Sequence, residues 1–255
     1  MKKQNKIQIT NLHKSFGANH VLKDFDLEVK VGESVVIIGP SGIGKSVLLK
    51  CILGLLEVDS GTIKIDGKRI DNLSENKRSV VNKKIGMLFQ NAALFDSLSI
   101  WENVSFRDIM DKNADEETAK KSALEYLSAV NLSEKVADMY PVDLSGGMKK
   151  RAGLARAVAG YPEILFFDEP TTGLDPITSD VINELIVKLT KKLGATTITI
   201  THDIKSALKI ADTIAFLYDG KIQWKGTVKD FERTKDAFIV QMKRGSSRGP
   251  IKSII

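Results

Sequence analysis

The feature that most constrains the fold is a glycine-rich octapeptide, which follows a run of β-branched residues and precedes an apolar helical pattern. Its residues are Gly39, Pro40, Ser41, Gly42, Ile43, Gly44, Lys45 and Ser46. Such a loop directs backbone N–H groups and the start of the next helix at phosphate oxygens, and its lysine supplies positive charge. The serine hydroxyl can hold Mg²⁺. The segment therefore predicts a phosphate-binding loop (P-loop) between a strand and a helix.

Three apolar or β-branched runs, each followed by a polar residue, predict parallel strands that are covered on both faces. They occupy residues 35–38, 164–167 and 197–200. Apolar residues recur at helical spacing between the last two runs, from a start at Asp175-Pro176 to a stop at Gly194. The pattern indicates a core sheet with covering helices.

Other patterns predict smaller parts around this core. Apolar and charged side chains alternate from Phe25 to Lys30, which indicates an antiparallel layer with one solvated face. A charged helical pattern from about Asp108 to Tyr140 separates two parts of the sheet and predicts an inserted helical subdomain, which we place at about 91–160. Asp219-Gly220 predicts a tight hairpin turn. Beyond Phe231 the pattern fades, and residues 245–250 predict a flexible tail.

Length and composition suit one α/β domain that carries a smaller subdomain, with 255 residues of which 42% are hydrophobic and 27% charged. Every apolar run is far shorter than the roughly 20 residues of a membrane helix. No apolar stretch follows the basic N-terminus, so we expect neither a membrane span nor a secretory signal. The single cysteine, Cys51, lies in an apolar helical pattern and is predicted to be a buried hydrophobe.

The formal net charge of +6 raises the question of nucleic-acid binding. Basic residues cluster at 77–84, at 149–151 and near the C-terminus. Aromatic residues, on which bases would stack, do not interleave with these clusters. The favoured interpretation is solvated surface near an anionic nucleotide or lipid head group, and no direct contact with nucleic acid is expected.

Two adjacent carboxylates, Asp168 and Glu169, end the apolar run that begins at Ile164. The aspartate can orient Mg²⁺ or its water, and the glutamate can polarise an attacking water. Such a pair is weak evidence alone. Together with the P-loop it is strong, because in-line attack on a γ-phosphate needs both a charge cradle and a positioned water.

A third element, residues 144–148, places a serine and two glycines directly before a helical run. Ser145 is predicted to cap that helix, and Gly146 and Gly147 leave space for an incoming group. An ordinary capping turn explains these residues equally well when they are taken alone.

From about Lys6 to Trp224, the order of these elements resembles the full motif set of ABC ATPases. The matching segments are the P-loop, Gln90, residues 144–148, Asp168-Glu169, residues 173–175 and His202. The resemblance implies an α/β fold with a RecA-like P-loop NTPase core, an N-terminal antiparallel β subdomain and an inserted helical subdomain. The ABC ATPase domain would span residues 6–230, and residues 231–255 would form a C-terminal extension.

The resemblance also implies a role for each matching residue. Two chains would form a homodimer around ATP. Across that dimer, Ser145, Gly146, Gly147 and Asp175 would approach the ATP of the other chain. Within one chain, ATP would contact Phe16, whose ring would stack on adenine, the residues from Gly39 to Ser46, and Val47. The implied catalytic residues are Glu169, His202, Lys45 and Gln90, and the implied Mg²⁺ ligands are Ser46, Gln90 and Asp168.

Gln90 resembles the lid glutamine of the family, which flanks a groove for a membrane subunit, and residues 93–101 would line that groove. Packing at the end of a strand is the alternative explanation for Gln90. His13 and His20 match no motif and are predicted to be surface or packing residues.

Met148 with the basic run 149–151, the segment 94–104 and the tail 248–251 resemble ATPases of Mla-type (MCE-associated) phospholipid transport systems. That resemblance implies a peripheral ATPase at the cytoplasmic face of the inner membrane. Its partners would be integral-membrane permease subunits and an MCE-domain protein. An ATPase of an amino-acid or other solute importer is the alternative.

Two further classes of protein fit the sequence less well. A soluble ABC protein that acts on DNA or ribosomes usually carries duplicated cassettes or long coiled coils, and neither pattern occurs in these 255 residues. A small-molecule kinase would leave the Ser145 turn and His202 unexplained.

Overall fold

The computed structural model describes residues 4–112 and 115–252. The chain divides into two compact units by its internal contacts. Unit 1 contains the chain up to Ser79 and again from Ile198, and unit 2 is Val80–Thr197.

The elements follow one another in an alternating order. The strands are β1 (Asn5–Phe16), β2 (Asn19–Lys30), β3 (Ser34–Ile38), β4 (Ser60–Ile65), β5 (Lys68–Arg69), β6 (Ile85–Leu88), β7 (Ile164–Asp168), β8 (Thr196–Thr201), β9 (Thr213–Tyr218) and β10 (Lys221–Thr227). The helices are α1 (Lys45–Leu53), α2 (Glu75–Asn82), α3 (Ile100–Val104), α4 (Phe106–Lys112), α5 (Glu116–Ala129), α6 (Gly146–Val158), α7 (Pro176–Leu193), α8 (Ile204–Ile210), α9 (Val228–Arg233) and α10 (Ala237–Arg244). Short 3₁₀ turns lie at Glu134–Val136 and Pro141–Asp143.

The predicted antiparallel layer is present in unit 1, where strands lie in the order β2-β1-β4-β5. β1 pairs with β2 in antiparallel register. Phe25, Leu27 and Val29 of β2 are buried, whereas the charged residues between them are exposed. The alternation in the sequence therefore marked the buried face of this strand correctly.

The rest of unit 1 is built around β3, whose residues after Ser34 are all buried. β3 pairs in parallel with β9, and β9 pairs in antiparallel with β10. The β9–β10 turn has φ +48° at Asp219 and φ +75° at Gly220, the positive values that the predicted hairpin turn requires. Cys51 is a free, buried thiol on α1, as its apolar surroundings in the sequence predicted.

Unit 2 combines a parallel strand pair with a run of helices. β6 and β7 pair in parallel, and every residue of β7 is buried. The helices α3 to α6 fall within the predicted helical subdomain, whose bounds of 91–160 remain a prediction. α7 is capped by Asp175 and stops at Gly194, which has φ +62°. Both boundaries of α7 agree with the sequence signals.

Two glycines let β6 and the following loop approach α6 closely. A Cβ on Gly86 would lie 1.9 Å from the carbonyl oxygen of Ala157. A Cβ on Gly153 would lie 2.9 Å from Leu88 Cδ1 and 3.0 Å from Ala92 Cβ. The close approach depends most on Gly86, because a Cβ there would overlap a backbone carbonyl, which cannot move aside as a side chain can.

Gly86→Ala is expected to lower the free energy of unfolding by about 1–3 kcal/mol, because overpacking must push α6 away from β6. Urea unfolding followed by circular dichroism measures this change. Ser128→Ala, at an exposed position of α5, is the control and should change stability by less than about 0.5 kcal/mol. Equal stability of the two variants would contradict the close packing.

The C-terminal segment is more ordered than its composition indicated. It contains α10, and the amide of Gln241 donates to the carbonyl oxygens of Ser246 at 3.1 Å and Ile251 at 3.0 Å. The N–H of Lys252 donates to the Tyr218 hydroxyl at 3.0 Å. Residues 245–250, predicted as a flexible tail, are thus fastened at both ends. Within residues 4–112 and 115–252, no helix is both long and apolar enough to cross a membrane.

Candidate active site

The P-loop joins β3 to α1 in unit 1, as predicted. Gly42 and Gly44 have φ values of +79° and +101°, which favour glycine. At Gly44 a Cβ would also lie 2.2 Å from Cγ1 of Val21. The buried ammonium of Lys45 donates to the carbonyl oxygens of Gly39 at 2.8 Å and Pro40 at 2.9 Å. The lysine is therefore held against the backbone of its own loop.

The start of α1 suits an anion. Lys45 and Ser46 are its first two residues, and no acidic side chain lies in its first turn. The first N–H groups of a helix have no partner within the helix, and its dipole favours negative charge there. One short segment therefore provides three kinds of group that can bind an anion or its cation: backbone N–H donors, the Lys45 ammonium and the Ser46 hydroxyl.

Unit 1 also contains Phe16 and His202. Phe16 ends β1 and is 47% exposed, and the Lys14 ammonium lies 5.3 Å from its ring centroid. The ring is therefore about half-exposed, with a cation close to it. His202 directly follows β8 and is exposed, one residue before Asp203 caps α8.

The remaining two histidines make local polar contacts. His13 Nε2 lies 3.0 Å from Asp24 Oδ1, and His20 Nδ1 lies 2.8 Å from Ser15 Oγ. His20 is exposed and His13 is half-buried, in agreement with the prediction that they are surface or packing residues.

In unit 2, Asp168 and Glu169 lie at the carboxyl end of β7, and each is 8% exposed. Glu169 has φ +48°, which is uncommon for a residue with a side chain. The hydroxyl of Thr172 donates to Glu169 Oε2 at 2.9 Å. Backbone and side chain of Glu169 are both held in a defined orientation.

Lys150 of α6 contacts both Gln90 and Glu169. Its ammonium donates to the carbonyl oxygen of Gln90 and, at 3.0 Å, to that of Glu169. Burial lowers the pKa of Lys150 to about 8, although the charges of Glu169 and Asp168 act in the opposite direction. Unit 2 thus brings together Gln90, Asp168-Glu169 and a buried cation.

Sequence reasoning placed Lys150 in a cluster of surface charges and in the basic run 149–151, and gave it no role of its own. Its helical position gave a usable signal, since residues 150, 153, 154 and 157 share one face and the last three are small or apolar. All four are buried in the structure. A lysine on an apolar helix face was the clue.

The Ser145 turn lies at the start of α6, where Ser145 Oγ accepts from the N–H of Met148 at 3.3 Å. Asp175 caps α7 and accepts from the N–H groups of Ile177 and Thr178. Hydrogen bonds from Thr178 hold the pKa of Asp175 below its usual value. A Cβ on Gly147 would lie 2.8 Å from Thr178 Cγ2, so the glycine permits the two helix starts to lie close together.

A second residue that sequence reasoning missed is Asn103, which is fully buried on α3. Its side-chain oxygen accepts from the N–H of Phe95 at 2.7 Å. Its amide donates to the carbonyl oxygens of Phe95, Leu98 and Ser99. Asn103 thereby fixes the loop within 93–101, the segment predicted to line a groove for a membrane subunit.

The predicted Mg²⁺ ligands are oxygen donors, namely the hydroxyl of Ser46, the carboxylate of Asp168 and the amide of Gln90. Mg²⁺ in nucleotide sites keeps several waters and takes only one or two protein carboxylates beside the phosphates. No cluster of three or more His, Cys, Asp and Glu side chains that could hold a metal occurs within 4–112 and 115–252. The predicted donor set fits such a phosphate-linked ion.

Comparison with known proteins gives the family. Residues 22–172, more than half of the chain, match the family described as ABC transporter. The chain is an ABC-family ATPase. The matched span contains the P-loop, Gln90, the Ser145 turn and Asp168-Glu169, so the resemblance inferred from the motifs is confirmed. Asp175 and His202 follow the matched span.

Individual relatives of this ABC ATPase extend the comparison. It is 41% identical over 249 residues to the intermembrane phospholipid transport system ATP-binding protein MlaF of Haemophilus influenzae, covering 98% of this chain and 94% of that protein. It is 40% identical over 220 residues to the glutamine transport ATP-binding protein GlnQ of Escherichia coli, covering 86% and 90%.

A solved structure of an ATP-binding cassette, a dimer in a post-hydrolysis state bound to ADP and Pi, superposes with a TM-score of 0.80. That cassette is 34% identical, and the match covers 87% of this chain and 98% of that one. The predicted fold class of this ABC ATPase is therefore confirmed.

Proposed function

We propose that this ABC ATPase energises phospholipid transport, as a homodimer bound to an integral-membrane permease at the cytoplasmic face of the inner membrane. The main support for this proposal is the 41% identity to MlaF, which extends over 98% of the chain. The match to GlnQ covers 86%. The likeness to the phospholipid-transport relative thus includes parts of the chain that the glutamine-transport relative does not match.

ATP binding is assigned to residues of unit 1. The backbone of the P-loop and the start of α1 provide N–H donors, and Lys45 provides charge to the β- and γ-phosphates. The exposed ring of Phe16 stacks on the adenine. Mg²⁺, when bound, would neutralise charge on the phosphates, and its proposed ligands are Ser46 of unit 1 together with Asp168 and Gln90 of unit 2.

Hydrolysis is assigned to Glu169 and His202. The carboxylate of Glu169 accepts a hydrogen bond from the attacking water and orients it in line with the γ-phosphate. His202, exposed after β8, contacts the γ-phosphate oxygens as charge develops there. The fixed backbone of Glu169 supports this role, because a general base must be positioned within hydrogen-bond reach of its water.

The dimer completes each site with the Ser145 turn of the second chain. Ser145 and Gly146 are exposed, and so is Asp175. Ser145 Oγ accepts from Met148, and its hydroxyl hydrogen remains to be donated to a phosphate oxygen. The dimeric cassette bound to ADP and Pi supports this arrangement.

The proposal is tested by recovering the tagged protein from solubilised membranes of its own cells and identifying its partners by mass spectrometry. We expect a permease together with an MCE-domain protein. The untagged protein, treated identically, is the control.

A permease together with a solute-binding protein would instead favour the second candidate, an importer of amino acids or other solutes, which the 40% identity to GlnQ supports. Ribosomal or DNA-bound partners would overturn the transport assignment altogether.

A further inference from the structure

Two cations of α6, the buried Lys150 and the half-buried Arg156, hold the segment 90–93, which we call the lid segment. Lys150 donates to the carbonyl oxygen of Gln90. Arg156 donates to the carbonyl oxygens of Ala92 at 2.6 Å and Ala93 at 2.7 Å. The lid segment is therefore fastened to the helix that begins at the Ser145 turn.

These contacts are made where the backbone is unusual. Ala92 and Ala93 have φ values of +60° and +48°, and Glu169 has φ +48°. Residues with a side chain persist in this region only where the surrounding structure holds them. Arg156 donates to the carbonyl oxygens of Ala92 and Ala93, and Lys150 donates to that of Glu169.

Lys150 differs from Arg156 because it reaches two separate motifs. Lys150 is 5% exposed, and its ammonium donates to the carbonyl oxygens of Gln90 and Glu169, which lie 60 and 19 positions away in the sequence. Burying a charged group costs free energy unless the group is paired with hydrogen-bond partners or with an opposite charge. The carbonyl oxygens and the nearby carboxylates of Asp168 and Glu169 supply these partners.

We propose that Lys150 is a positioning residue for ATP hydrolysis, which holds the lid segment and the backbone of Glu169 at a fixed separation. Movement of the lid segment then displaces the carboxylate that orients the water. The inference rests on the roles proposed above for Gln90 and Glu169. Because the P-loop binds ATP in the ground state, loss of Lys150 should lower kcat rather than the affinity for ATP.

The test compares Lys150→Met with Lys149→Met, the same change one residue away on α6. Steady-state or single-turnover hydrolysis by the full chain is measured with labelled ATP. We expect Lys150→Met to lower kcat by about 10- to 100-fold, since small misplacements of a catalytic group have effects of this order. KM for ATP should stay within about twofold, and Lys149→Met should resemble the parent.

Lys150→Arg, which keeps hydrogen-bond donors, should recover most of the lost kcat. Thermal unfolding and nucleotide binding identify any variant that fails to fold. Lys150→Gln provides a milder second variant, because its uncharged amide keeps two N–H donors. Parental kcat in Lys150→Met or Lys150→Gln would overturn the proposal. So would a kcat loss that Lys150→Arg does not reduce.

The outcome is separable from the proposed function. Turnover by a Glu169→Gln variant tests the assignment of the polarising carboxylate, and the recovered partners test the transport role. Neither result changes whether Lys150 and Lys149 differ in their effect on kcat.

Discussion

Glu169→Gln is expected to lower kcat for ATP hydrolysis by about 100-fold or more while ATP binding persists. Loss of a positioned general base costs about 10²–10⁴ in rate. The amide keeps the size of the side chain and its contact with the Thr172 hydroxyl, but it is a much weaker acceptor for the proton of the water. Phosphate release and nucleotide titration on the same preparation measure the two properties.

Glu125→Gln is a matched control, because Glu125 is exposed on α5 and lies outside every motif. It should hydrolyse ATP at the parental rate. Parental turnover by Glu169→Gln would show that another group orients the water, and the assignment of Glu169 would then be wrong.

Lys45→Ala is expected to weaken ATP binding by about 10- to 100-fold, since a hydrogen bond to a charged group contributes about 1.5–3 kcal/mol. The truncation also removes the donor that holds the loop carbonyls of Gly39 and Pro40. Both effects act on the P-loop itself. Isothermal titration calorimetry with ATP measures the loss.

Lys50→Ala supplies the comparison for Lys45→Ala. Lys50 is an exposed lysine in the last turn of the same helix, so the two variants change charge and side chain equally. Its ATP affinity should be unchanged. If Lys45→Ala bound ATP as tightly as Lys50→Ala, the lysine of the loop would not contact the phosphates.

The two main predictions separate two steps of one reaction. Lys45→Ala should fail at binding, and Glu169→Gln should bind ATP and fail at turnover. Lys150→Met should bind ATP and lose turnover as Glu169→Gln does, but to a smaller extent. The Glu169 carboxylate remains in this variant, while the Glu169 backbone is no longer held by the ammonium.

Signals that depend on neighbours in the sequence were enough to predict the local structure and the family. The alternation in β2, the caps of α7 and the Asp219-Gly220 turn each use a few consecutive residues, and all three agree with the structure. The P-loop also lies where the pattern of strand, loop and helix placed it. Periodicity and backbone preference act over short distances, so the sequence alone determined these features.

Contacts between distant residues were decided only by the tertiary structure. Lys150 was counted among surface charges, yet it is buried against carbonyls 60 and 19 residues away. The need for glycine at Gly86 depends on the carbonyl of Ala157, and the order of residues 246–251 depends on the amide of Gln241. The helical spacing of Lys150 marks it as buried but does not identify its partners, and Gly86 and Gln241 have no such signal. In all three cases the partners become neighbours only when the sheet and helices have packed.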